Sequence, residues 1–321
     1  MSFVTLSRHA LSMRFLAILT VSVAMFTACG TATAPNANAI MSVQVQRHKS
    51  TDLLYVSNQN YSGKPHIDVF TYPQGKLSQT LTNYGPFAGE CVDKDGDVFG
   101  TVNYEVVEYA HGASSPKAIL QENGNYGTPL GCAINPVNGD LAVANTGDNT
   151  SSYAVVAIYK HAKGSPAYYT DGNLMAFAYC AYDNEGNLFL DGTNDYFMGY
   201  VSFVAELPKG STSFTNAAVS RWLASWDLGG VQWDGQHLAV GDKEKTIYRF
   251  SVKDGQATEV GATKLGHADR VEQFWIDGSD VIGGNTKAGT VDVWKYPAGG
   301  PPIKTIKGLH EPVAVAISHG R

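Results

Sequence analysis

Short apolar segments alternate with tight polar turns along most of the chain, and the alternation repeats. Before each turn lies a segment such as "AGECV", "LGCAI", "AYCAY", "GGVQW", "QFWI" or "VAVAI". After it lies another: "LLYVSN", "VFGTVN", "LAVAN", "LFLDG", "LAVGD", "VIGGN". A third segment alternates apolar and polar residues, as in "HIDVFTYPQG", "EVVEYAHG", "TIYRFSVKDG" and "TVDVWKYPAGG". A weaker fourth follows, as in "LSQTLT" and "PIKTIKG". Period two is the pattern of a half-buried strand, and a short apolar run between turn residues fits a fully buried one. The polar residue heading each turn marks the unit. Asp93, Asn135, Asp183, Asp234, Asp277 and Ser318 recur at spacings of 42, 48, 51, 43 and 41. Four short strands at such spacing are the signature of a propeller blade.

The two ends of the repeat complete each other. The first unit starts at "LLYVSN" without an innermost strand, and the chain closes on "EPVAVAISHG", an innermost strand with nothing after it. The expected fold is an all-β, six-bladed propeller of four-stranded blades. Residues 312–318 should pair with 53–58, which removes an open sheet edge. Seven blades, with "MSVQV" starting an extra strand, is the alternative.

The repeat also decides the reading of "CVDKDGDVFG", which sets Asp93, Asp95 and Asp97 at alternate positions. An EF-type calcium loop needs Gly at its sixth position and Glu at its twelfth. Gly96 is at the fourth, and the other units keep the Gly and lose the acids. The stretch is a hairpin turn between the first two strands of a blade, where Gly takes positive φ and Asp or Asn suits the flanks.

The N-terminus reads differently. Arg8 and Arg14 precede a 12-residue apolar run, Phe15 to Phe26, too short to span a bilayer. Cys29 ends it in "FTACG", which resembles a bacterial lipobox, with Phe26 where an aliphatic residue is usual. Residues 1–29 are therefore expected to be an export signal with Cys29 lipidated, 30–50 a tether, and 51–321 the propeller. An ordinary signal peptide with an incidental Cys is the other reading.

Composition narrows the function. Charged residues make up 16% of the 321, and 23 Lys+Arg stand against 29 Asp+Glu, a net charge of −6. No basic stripe is visible, so a nucleic-acid partner is not expected. No catalytic triad, phosphate loop or CxxC stands out. No resident cofactor is expected, with a divalent cation in the central channel held open. "TPLGCAINPVNGDLAVAN" echoes the NHL pattern, and the chain resembles the NHL-type six-bladed propeller over roughly residues 50–321. Phrases such as "VVEYAHG", "GNLFLDG" and "WKYPAGG" look closer to uncharacterised exported bacterial propeller lipoproteins. Streptogramin lyases and gluconolactonase-like propellers share the architecture. Strand ends here read "VSN", "TVN" and "VAN" rather than the lyase "WFTE", and Glu90 follows Gly89 rather than preceding it, so neither motif transfers.

The loops leading into the innermost strands, with the turns between second and third strands, surround one mouth of the channel. That face collects Tyr84, Phe87, Glu90, Asn125, Tyr126, Trp222, Trp226, Asp227, His267, Asp269, His310 and Glu311. The second-strand ends add Asn58, Asn103, Asn145, Asp191, Asp242 and Asn285, which could ring a cation or sugar or simply cap their own turns. The ligand-binding candidates are Tyr126, Trp226, Asp227, His267, Asp269 and Glu90, because the lead-in loops are long and varied while the opposite hairpins are short. The expected role is a monomeric binding module for a protein, peptide or glycan, attached to the membrane by its lipid alone. A metal-assisted lyase or lactone hydrolase is the alternative. Cys91 is offset by one residue from Cys132 and Cys180, so Cys91 and Cys132 in adjacent blades can face each other. Export permits that disulfide; three buried thiols is the other reading.

Overall fold

A computed structural model describes residues 50–60, 63–147, 153–193, 202–220 and 229–321. The expected export signal, residues 30–49 of the expected tether, Cys29, Trp222, Trp226 and Asp227 lie outside these residues.

Among the described residues 24 strands form. The first run is β1 (Leu53–Asn58), β2 (His66–Thr71) and β3 (Lys76–Leu81). The second is β4 (Glu90–Val92), β5 (Val98–Val102), β6 (Glu105–Tyr109) and β7 (Ala118–Gln121). The third is β8 (Pro129–Ile134), β9 (Leu141–Asn145), β10 (Ala154–Tyr159) and β11 (Ala167–Asp171). The fourth is β12 (Ala176–Tyr182), β13 (Leu188–Thr193), β14 (Ser202–Leu207) and β15 (Thr215–Val219). The fifth is β16 (Val231–Trp233), β17 (Leu238–Gly241), β18 (Thr246–Lys253) and β19 (Gln256–Lys264). The sixth is β20 (Val271–Asp277), β21 (Asp280–Asn285), β22 (Thr290–Lys295) and β23 (Lys304–Lys307), and β24 (Pro312–Ser318) ends the chain.

Each run is an antiparallel meander. The innermost strands β24, β4, β8, β12, β16 and β20 adjoin one another in a closed cycle. β24 pairs with β1 from Leu53↔Ser318 to Asn58↔Pro312, so the first blade takes its inner strand from the C-terminus. The chain is a β-propeller. One feature departs from six separate sheets: β15 and β19 pair in parallel at Ala218↔Gln256 and Val219↔Ala257, which merges the fourth and fifth blades into one eight-stranded sheet. β18 and β19 form a hairpin of 8 and 9 residues, and the start of β19, still paired with the end of β18, also lies beside β15.

The core is six apolar layers, one between each pair of consecutive blades. Alternate side chains of an inner strand face the preceding and the following blade, as the period of two requires. Thus Glu90 faces Ser57 of β1, while Cys91 faces Cys132 of β8. The Asp93–Asp97 turn is structural in geometry. Asp93 Oδ1 accepts the backbone N–H groups of Asp95 and Asp97 at 2.8 and 2.9 Å, and Gly96 has φ 84°. Asp97 pairs with Lys117, and Asp95 with Lys94 and Arg321. The antiparallel order puts all such hairpins on one face and the lead-in loops on the other.

Candidate functional site

On the lead-in face, blades two and three are joined by "QENGNYGTP". Its centre is a single 3-10 turn, Gly124–Tyr126, capped by Asn123 Oδ1, which accepts the Asn125 N–H at 3.1 Å. Tyr126 stacks on Tyr168 of β11 with ring centroids 4.2 Å apart and a 35° tilt. At the other end of the turn the Tyr104 ring lies against Gly124, 3.5 Å from where a Cβ would sit. Tyr104 is 49% exposed, and Tyr126 and Tyr168 are partly buried.

A buried carboxyl supports these rings from below. Glu122 accepts the Tyr168 hydroxyl at 3.3 Å, and the Tyr159 hydroxyl is 3.0 Å from its other oxygen. The Asn123 N–H donates to the Tyr168 hydroxyl at 2.8 Å. Burial pushes the Glu122 carboxyl up to about 7, partly offset by the two tyrosine hydroxyls. Tyr168 is thus clamped, and Tyr126 rests on a fixed ring. Around them Asn103, Asn123 and Asn125 are exposed.

The other expected site residues are spread out. His267 and Asp269 are exposed in the lead-in loop of blade six. Asn285 shapes that loop: its Oδ1 accepts the Asp269 N–H at 3.1 Å, and its Nδ2 donates to the His267 carbonyl at 3.2 Å. Asp269 faces Lys287 at 3.3 Å. Glu90 does not reach the mouth. It is 1% exposed between blades one and two, where it accepts the Ser57 hydroxyl at 2.6 Å, and burial raises it to about 7. Phe87 is likewise buried, filling the space over Gly100. Of the second-strand Asn and Asp side chains, Asn58 and Asn285 donate to Asp68 and Asp292 at 3.1 Å each, and Asn103 is exposed. Asp242 caps three N–H groups of its own turn, and Asp191 holds the N–H groups of Ala178 and Tyr179 at 3.2 and 2.6 Å, with burial raising its carboxyl to about 7. Among the described residues no group of three His, Cys, Asp or Glu is placed to hold a metal ion.

On the hairpin face the channel opens as a hollow of about 240 Å³, lined among others by Tyr182, Trp233, Trp275, Gln232 and Gln273. Gln273 reaches past β24 and pairs with both backbone groups of Glu90, donating at 2.7 Å and accepting at 2.9 Å. The aromatic residues are committed to packing between blades: Trp233 stacks on Phe189 at 6.0 Å, Tyr182 packs with the third blade, and Trp275 with the first. Gln232 accepts the Ile276 N–H. A second hollow of about 350 Å³ lies beside it, with Lys117 and Glu108 in its wall already paired at 2.6 Å. Cys91 and Cys132 also line the channel and are joined by a disulfide, with Cα atoms 5.7 Å apart; Cys180 is a buried free thiol.

Sequence reasoning named Tyr126 and missed Tyr104, Tyr168 and Glu122. Tyr104 stands next to Asn103, already placed on this face, and was the detectable signal. Tyr168 belongs to an outer strand, "AYYTD", where period two does not say which Tyr bends toward a neighbouring loop.

No protein-family model matches the chain, and no curated protein matches it in sequence. Solved structures match in fold. A chain of a nidogen/laminin complex superposes with a TM-score of 0.63 at 13% identity, covering 84% of this chain and 98% of that one. A protein of unknown function from Bacteroides caccae superposes at 0.62 with 10% identity, covering 84% and 99%. The Cps50 (Swd1) β-propeller domain of Myceliophteria thermophila superposes at 0.52 with 12% identity, covering 78% and 83%.

Proposed function

We propose that this is an exported, lipid-anchored propeller of NHL type that acts as a binding module through its lead-in face. The observation that carries the reading is the stacked pair Tyr126–Tyr168 with exposed Tyr104 beside it. Aromatic side chains left at a surface on rigid supports are the common anchors of recognition. The hairpin face offers less, because its aromatic and amide groups are spent on packing and on backbone. The fold is compatible with such a role, since a propeller of this shape forms part of the nidogen/laminin complex. The other reading, a metal-assisted lyase or lactone hydrolase, gains nothing from the described acids: Glu90 is sealed and Asp269 faces Lys287.

The face is tested by measuring binding of a panel of short peptides and oligosaccharides to four variants. Tyr126→Ala and Tyr104→Ala should weaken binding with little change in thermal stability, while Asp95→Ala and Glu185→Ala on the hairpin face should not. Loss confined to the second pair moves the site to the hairpins.

Export and anchoring rest on Arg8, Arg14, the apolar run 15–26 and Cys29. The full-length protein should sediment with membranes through a carbonate wash, and Cys29→Ala should release it or block processing. Equal partition of the two forms argues for simple secretion.

A further inference from the structure

We propose that the surface formed by Tyr104, Tyr126 and Tyr168 with Asn103, Asn123 and Asn125 is a subsite for a neutral polysaccharide; this rests on the lead-in face being the binding face. The chemistry of the surface selects the ligand class. A pyranose ring presents a face of C–H groups, which stacks on an aromatic ring, and a rim of hydroxyls, each both donor and acceptor. Side-chain amides carry both functions and match hydroxyls. Here half-exposed rings are bordered by three exposed amides. Among the described residues no hydrogen bond engages the Asn103 or Asn125 side-chain amide, so both are open to a ligand.

Charge points the same way. No Lys or Arg occurs between Lys117 and Lys160, the stretch that supplies Asn123, Asn125 and Tyr126. A phosphate, sulfate or uronate would meet no cation from that stretch. The two acids next to these residues in sequence are occupied, Glu105 by Gln121 at 2.9 Å and Glu122 by the Tyr159 and Tyr168 hydroxyls. Ordering is in place before any ligand arrives. Tyr168 is held through its hydroxyl, the Asn123 cap fixes the 124–126 turn, and Asn103 sits at φ 52° in the tight turn before Tyr104. A preorganised surface does not lose side-chain freedom on binding, which suits the weak individual contacts of a sugar. A protein partner is the less fitting occupant, because a stable protein interface buries roughly 800 Å² per side around an apolar centre. Here each ring is edged by amides instead.

The test is affinity gel electrophoresis of the folded protein through dextran, xyloglucan, mixed-linkage β-glucan and galactomannan, followed by calorimetry with a hexasaccharide of the polymer that retards it. Retardation by at least one polymer is expected. Tyr126→Ala and Tyr104→Ala should each weaken the hexasaccharide about tenfold, as loss of an anchoring ring does. Tyr126→Phe should stay within about threefold, because stacking needs the ring and not the hydroxyl. Raising NaCl from about 0.1 to 0.5 M should leave binding unchanged, since no ion pair is made. Circular dichroism of each variant confirms that it is folded. Retardation by none of the four polymers overturns the proposal. If peptide binding is then lost in Tyr126→Ala, the lead-in face stands and only the glycan is wrong. Saccharide binding that survives the Tyr104→Ala/Tyr126→Ala double change and falls in Asp95→Ala overturns both.

Discussion

Glu90 stands three residues before the turn marker, where the other blades carry Cys132, Cys180, Val231, Phe274 and Val315. The chain has placed a carboxyl in an apolar layer with one hydroxyl for company, and Oε2 has no hydrogen-bond partner among the described residues. Water would stabilise its charged form and the blade interface does not, so the carboxyl is raised from 4.5 to about 7. The sign of the consequence follows. Between these values the folded state holds a proton that the unfolded state has lost, so stability is highest below the lower value and falls as pH rises to the upper one. Full expression of that shift is about 3 kcal/mol for Glu90, at 1.36 kcal/mol per unit. Glu122 and Asp191, both buried and raised, act in the same direction. Urea unfolding should therefore show lower stability at pH 8 than at pH 5. Glu90→Gln should flatten the dependence and be the more stable form at pH 8. Stability that rises over this range in the wild type contradicts the account. In the sequence Glu90 is only an acid after a glycine. Which side of the strand it takes depends on register, and that moved it from the mouth to the core.

Elements pack here through small residues. β8 and β12 approach so closely at Gly131 that a Cβ would lie 2.7 Å from the Tyr179 Cα. On its other side β8 is tied to β4 by the disulfide. Gly131→Ala should destabilise the fold by about 1–3 kcal/mol, the usual result of overpacking a rigid site. Removing the cross-link with Cys91→Ala/Cys132→Ala should lower stability by about 2–4 kcal/mol. A reductant should lower the melting temperature of the wild type and leave that variant unchanged. Equal melting of all three forms counts against a stabilising cross-link. The strands and their turns were readable because period two and Gly-centred turns are local signals. The bulges in β8, β12 and β20 were not, since a register shift is set by the partner strand. The join between β15 and β19 was equally hidden, because it depends on two outer edges meeting in space.

For the whole molecule the seam is decisive. β24 is buried along its length between β1 and its neighbours in the ring, and the Ser50 N–H donates to the Arg321 carbonyl at 3.0 Å. Deleting 312–321 removes an inner strand, exposes the edge of β1 and uncovers the apolar layers on both sides. Loss of a cooperative unfolding transition is expected, measured by calorimetry. Moving residues 309–321 ahead of Ser50 should preserve the fold, because the ends already touch and the β24–β1 pair becomes continuous in the chain. A truncated form that still melts cooperatively, or a permutant that does not, contradicts closure through this seam.

The sequence alone determined the all-β propeller, the place of each hairpin, and the closure of the ring by the last strand. It could do so because the repeat is written in local patterns of burial and turn chemistry. Strand parity allowed Cys91 and Cys132 to face each other but left three buried thiols as the other reading. Only the tertiary structure decided that Glu90 is buried between blades, that Gln273 bonds the Glu90 backbone across β24, and that Tyr104 and Tyr168 bracket the turn bearing Tyr126. These outcomes join residues from different blades or from the two sides of a turn. Their distances depend on how sheets stack around the ring, which the pattern along a single strand does not contain.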